Sequence, residues 1–174
     1  SDDGIRARDG MRLSFELLTI STRPELPAIA ETIQAQWRQI GVALRIVVCP
    51  PETIADKAKN GTLELAFFAR SHFLIPDVAA SLTSDFGSSK TVRLWGAVGW
   101  SSQAFDDAAA RYAETESAEI RSEARFEMLR AIHDDVPVIA HSWYESIIGH
   151  SVSVDRVLAD PFESTFGVSR TRWT

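Results

Sequence analysis

The sequence predicts an α/β layered domain built on a mostly parallel sheet. Three observations lead there. Short β-branched runs alternate with segments of helical period, the connections between them are only a few residues, and the 174 residues suit one ordinary domain spanning 1–174. Strand, helix, strand, helix, strand at that spacing requires parallel strands joined by crossovers.

Each element has its own signal. Met11 to Ile20, "MRLSFELLTI", alternates with Leu13, Phe15 and Leu17 on one face and reads as a strand. The next stretch, "STRPELPAIAETIQAQWRQIG", repeats Leu26, Ile29, Ala30, Ile33, Trp37 and Ile40 at helical spacing. Pro24 and Pro27 suit its first turn and Gly41 its stop. Val42 to Cys49 is β-branched and apolar enough for a largely buried strand. Pro50 to Gly61 holds a short helix, and Leu63 to Ala69 is a third strand. From Asp85 to Ser102 the expectation is a long Gly/Ser-containing loop, the kind that tends to be functional inside a compact domain.

The second half reads as helical first. Gln103 to Thr115 places Phe105, Ala108, Ala109 and Tyr112 on one face. Glu119 to Asp135, capped by Ser117, places Ile120, Ala124, Met128, Ala131 and Ile132 on another. Val136 to Trp143 and Ile147 to His150 then read as strands, with "STFGVS" as one more near the end.

Charge and motifs exclude several classes. A net charge of −6 with no basic stripe argues against nucleic acid and anionic membrane as partners. No stretch reads as a signal peptide, and no apolar run approaches the ~20 residues of a membrane span. The polar lead-in "SDDGIRARDG" makes the chain look like a piece of something longer. The single cysteine, Cys49, permits no disulfide framework or thiolate metal site and is expected to be a small buried hydrophobe. Nucleotide-loop, zinc-protease and serine-hydrolase fingerprints are missing, and the four histidines share no metal-ligand spacing, so no cofactor and no metal are expected. His133 suits a helix last turn and His141 a partly buried strand position. An enzymatic reading would rest on Ser71 and His72, which point to opposite faces of an extended chain.

Ligands of open parallel sheets gather beyond the carboxyl ends of the strands. That rule selects Thr22 and Arg23 after the first strand and Arg70, Ser71, His72 and Phe73 after the third. It also brings in the loop carrying Trp95 and Trp100, rings that either line a small-molecule cleft or close the core.

"DDGIRARDGMRLSFELLT" followed by "RPELPAIAETIQAQWRQIGVALRI" resembles the start of the ligand-binding C-terminal lobe of family 5 extracellular solute-binding proteins. These are the receptors of ABC importers for oligopeptides, dipeptides and nickel. "LELAFFARSHFLIPDV" and the long block from "GWSSQAFDD" to "DDVPVIAHSW" resemble later blocks of the same family in the same order. The resemblance implies a type II periplasmic-binding fold, with a mixed, mostly parallel sheet and helices on both faces. It also implies a second lobe, a small solute held between the lobes, and no chemistry. A membrane permease would be the partner, and the setting would be extracytoplasmic, through a lipid anchor on a segment upstream of this one. His72 stands where the family has a loop aromatic, and Asp77 where it has the Asp of an Asp-Pro. Peptide-binding members carry a carboxylate inside that loop, whereas His72 to Pro76 has none. A buried ammonium would lack its counter-charge there, so Arg70 and His72 suit an anionic or metal-chelating solute better than a free peptide. Ser102 replaces a family Asn. The alternative is a ligand-sensing module of a transcriptional regulator built on the same receptor fold.

Overall fold

The computed structural model describes residues 3–70, 77–88, 99–143, 145, 147–158, 160, 165 and 167–174. A two-residue hairpin, β1 (Ala7–Arg8) and β2 (Met11–Arg12), leads into β3 (Ser14–Ile20). The chain continues through α1 (Glu25–Gln39), β4 (Ala43–Cys49), α2 (Pro51–Lys59) and β5 (Leu65–Phe67). β3 lies in the middle of a parallel sheet of order β4-β3-β5, as the alternation of elements requires.

Register divides the sheet residues between two faces. Phe15 and Leu17 pair with Leu44 and Ile46, and together with Leu65 they pack under Ala30, Ile33 and Trp37 of α1. Leu18 and Ile20 pair with Val47 and Cys49, and with Ala66 they pack against Ile54 of α2. Successive strand residues point to opposite sides, so α1 and α2 cover opposite faces. Gly41 ends the α1 turn at φ 82°, where an added Cβ would meet the Arg6 side chain at 2.7 Å, so the turn tolerates little but glycine.

A second core lies in the helices α3 (Val78–Phe86), α4 (Gln103–Glu114) and α5 (Ala118–Asp135). Ala79, Leu82, Phe86, Phe105, Ala108 and Met128 form its buried centre. Ser102 and Ser117 cap α4 and α5 through their hydroxyls, accepting from Phe105 and Ile120 N–H. α3 occupies part of what reads in sequence as the Asp85–Ser102 loop, because Asp77 caps it by accepting from Ala79 N–H and Leu82 and Phe86 supply one apolar face.

Three strands expected in the second half do not form among the described residues. Val136 instead caps α5 in the left-handed region at φ 48°, and Pro137 has no N–H for a ladder. Val138 to Trp143 and Ile147 to His150 have strand-like composition but no ladder pairing, and Ile139, Trp143 and Ile147 are exposed. β propensity is context-dependent, and although His141 reaches Phe67 at the β5 edge, no ladder pairing forms there among the described residues. In "STFGVS", Thr165 and Gly167 are outside any strand and Val168–Arg170 form a 3-10 turn. The local ladder is instead β6 (Val154–Asp155) against β7 (Arg172–Trp173). His141, expected in a strand and partly buried, is exposed and sets its ring edge-on to Phe67 at 5.6 Å.

Candidate functional site

The strand ends define the site. β3 and β4 are neighbours whose following helices leave to opposite faces, and ligands of open α/β sheets gather beyond strand ends of that kind. Ser21 N–H donates to Cys49 C=O at 3.1 Å and ties the two exits together. Thr22 is exposed at this rim, and Arg23 carries the turn into α1, its guanidinium 3.9 Å from Glu25. Below the rim, Thr19 is fully buried and its hydroxyl has no hydrogen-bond partner. Thr19 pairs in register with Val48 and Phe67, so its side chain shares their face. Strand alternation signals that facing, but the orphaned hydroxyl follows only from packing.

Arg70 leaves the end of β5 and forms a two-pronged ion pair with Asp85 of α3, Nε to Oδ2 at 2.9 Å and Nη2 to Oδ1 at 3.0 Å. Asp85 is buried, with 4% of its side chain exposed, and Arg70 is partly covered. The fork geometry is the strong form of this contact, and it joins the α/β half to the helical half. The Arg70 charge therefore already has a carboxylate on it. The sequence offered no sign of this pairing across 15 residues, because both the α3 start and its orientation were needed.

Trp100 lies against the helical core, edge-on to Phe86 at 6.2 Å and to Phe105 at 5.7 Å, and its indole N–H donates to Asp135 at 2.8 Å. Asp77 accepts the Tyr112 hydroxyl at 3.0 and 3.1 Å while it caps α3. Ser71, His72, Phe73 and Trp95 lie outside the described residues, as do Leu74 to Pro76. Among the described residues the site therefore unites Thr22 and Arg23 at one rim and places Arg70 at the end of β5, on the far side of β3 from β4, while Trp100 packs into a different core.

Cys49 is buried at the end of β4, and burial pushes its thiol above the ordinary value. Burial and a raised thiol both disfavour the thiolate, the form that reacts. On the α2 side of the sheet, Glu16 accepts from both Lys57 and Arg45. The Lys57 hydrogen bond is the main cause that holds its carboxyl below the usual range. Among the described residues no group of three or more His, Cys, Asp or Glu is placed to hold a metal, and no helix is long and apolar enough to cross a membrane.

The sequence matches no protein-family model and no curated protein sequence. Its fold, however, is shared with solved solute-binding proteins. A dipeptide-binding protein from Pseudoalteromonas sp. SM9913, solved with Met-Leu, aligns over 92% of this chain at TM-score 0.66 and 17% identity. The oligopeptide-binding protein AppA from Bacillus subtilis, solved with a nonapeptide, aligns over 78% at TM-score 0.63 and 20% identity. NikZ from Campylobacter jejuni, solved with Ni(L-His), aligns over 79% at TM-score 0.61 and 21% identity. The chain spans only 32%, 27% and 27% of those three proteins. These likenesses establish the fold class as a periplasmic-binding-protein-like α/β lobe, the architecture of the peptide- and nickel-binding solute receptors.

Proposed function

We propose that this chain is the solute-binding lobe of a substrate-binding protein that serves an ABC importer of the peptide and nickel uptake type. It captures a small ligand in a cleft between lobes and does no chemistry. The observation that carries the reading is a fold shared over most of the chain with proteins solved around a dipeptide, a nonapeptide and a nickel chelate. The parallel order β4-β3-β5 supports it, because an open parallel sheet offers ligands a position beyond the carboxyl ends of its strands. Thr22 and Arg23 form one wall. Arg70 stands at the end of β5, and Ser71, His72, Phe73 and Trp95, which lie outside the described residues, belong to the proposed site on the sequence alone.

The Arg70–Asp85 pair refines the ligand class. With the guanidinium already neutralised, a simple anion gains little at this rim, whereas a zwitterionic solute or a metal chelate can exploit a fixed dipole. The whole receptor works outside the cell membrane, held by a lipid anchor on another segment and delivering its solute to a permease.

The test is an amide NMR titration of this chain with a short-peptide pool and with a nickel–histidine chelate. Binding by one lobe is weak, because closure supplies much of the contact area. Shifts centred on Thr22, Arg23 and Arg70 are expected at millimolar solute. A response confined to His133 and His150 with nickel, and none to peptide, would refute the assignment.

A further inference from the structure

A second polar feature lies far along the chain from the strand-end site. Arg156, Val157 and Leu158, which follow β6, and Ser169 to Arg172, which lead into β7, line an open surface groove of about 460 Å³. That volume falls within the range of small-molecule sites. Three of the seven lining residues are arginines, two carry hydroxyls, and none is acidic.

This concentration of cations needs a physical account. The chain carries a net charge of −6, so carboxylates are abundant elsewhere. Yet among the described residues no carboxylate lies within ion-pair distance of Arg156, Arg170 or Arg172. Asp155 stands opposite Arg172 in the β6–β7 ladder, but its carboxylate accepts the Arg156 backbone N–H at 2.7 Å and reaches neither guanidinium. An anion seated in the groove would be attracted by the three cationic residues that line it.

The backbone builds the groove. Arg156 is held in the left-handed region at φ 61°, an uncommon conformation for a side chain of its size. Gly167, at φ 62°, lets the opposite arm approach so closely that an added Cβ would stand 2.9 Å from Leu158 Cβ. The 3-10 turn is closed by Arg170 N–H to Gly167 C=O at 2.8 Å. Both arms are thus positioned by backbone contacts that do not involve the guanidinium groups.

We propose that this groove binds a small polyanion, a compound carrying two or more carboxylate or phosphate groups. Planar guanidiniums present paired N–H donors that match either oxyanion, and Ser169 and Thr171 add hydroxyl donors beside them. The groove is independent of the strand-end site, and its ligand requirement is the opposite of a neutralised Arg70.

Amide NMR titration with citrate and with pyrophosphate tests it, acetate at matched ionic strength being the control. Saturable shifts at Arg156 to Leu158 and Ser169 to Arg172 are expected, with Kd below about 1 mM for at least one probe. The tighter probe identifies carboxylate or phosphate as the recognised group. The double variant R170A/R172A is expected to weaken that binding about tenfold or more, since it removes two of three charged donors. Unchanged amides around Phe105 and Met128 show that it has folded, and R156Q serves the same purpose if it has not. No saturation with either probe, an equal response to acetate, or unaltered binding by the folded variant would overturn the proposal. A result at these amides leaves the reading of Thr22, Arg23 and Arg70 untouched, and the reverse also holds.

Discussion

Phe105→Ala probes the helical half at its most buried point. Phe105 has 0% exposure and sits at the centre of the α3–α4–α5 core. Its ring meets Trp100 at 5.7 Å and Phe86 at 6.4 Å, so truncation removes transfer energy and two aromatic contacts together. A buried Phe→Ala change costs about 3–5 kcal/mol, and lost ring pairs of about 0.5–1.5 kcal/mol each place this one toward the upper end. Against a urea slope of about 2 kcal/mol per M, the midpoint falls by about 2 M. Phe105→Leu retains most of the apolar volume and is expected to cost about half as much or less. Far-UV circular dichroism in urea measures both, with Cys49 thiol labelling reporting separately on the α/β core where that residue is buried. A loss under about 1 kcal/mol for Phe105→Ala, or equal losses for Ala and Leu, would show that the ring does not carry this core.

Four further outcomes follow from named contacts. Thr19→Val removes a buried hydroxyl that has no partner and keeps the shape, so the thermal midpoint should rise, by about 1 kcal/mol of stability. Ser117→Ala deletes the α5 cap and should cost about 1 kcal/mol by urea titration. Lys57→Met removes the main group holding the Glu16 carboxyl down, so its titration, followed by carboxyl-carbon NMR, should move up toward the ordinary range. Since the Glu16 carboxyl titrates lower in the folded chain, its contribution is present above the unfolded value and is lost as pH falls through the folded one. Cys49 has the opposite sign. Its folded thiol titrates higher, so its contribution holds below the unfolded thiol value and fades as pH rises above it. Cys49→Ala should flatten that alkaline decline in the urea midpoint.

The α/β half was legible because its signals are local. Alternation in "SFELLTI", the helical period from Leu26 to Trp37 and the β-branched run to Cys49 each act within one element. Short connections then leave parallel pairing as the arrangement that buries those faces. The Ser117 cap was readable for the same reason, whereas the Ser102 cap was not read from the sequence. The strand-end location of Thr22, Arg23 and Arg70 followed from topology once the sheet was parallel.

What only the tertiary structure decided are the features that need two distant segments. Strand-like composition from Val138 to Trp143 produced no strand among the described residues, because a strand is defined by ladder pairing and this segment, though His141 touches Phe67 of β5, makes none. Arg70 read as a cation available to a solute until α3 brought Asp85 against it. Trp100 could have faced a cleft or a core, and its contacts with Phe86, Phe105 and Asp135 set it, partly buried, against the helical core. The arginine groove is the extreme case. Arg156 and Arg172 are 16 positions apart, and they share a groove only because a two-residue ladder and the close approach of Gly167 to Leu158 fold one arm over the other. Periodicity and capping act over a few residues, whereas charge pairing and cavity shape are set by through-space distance.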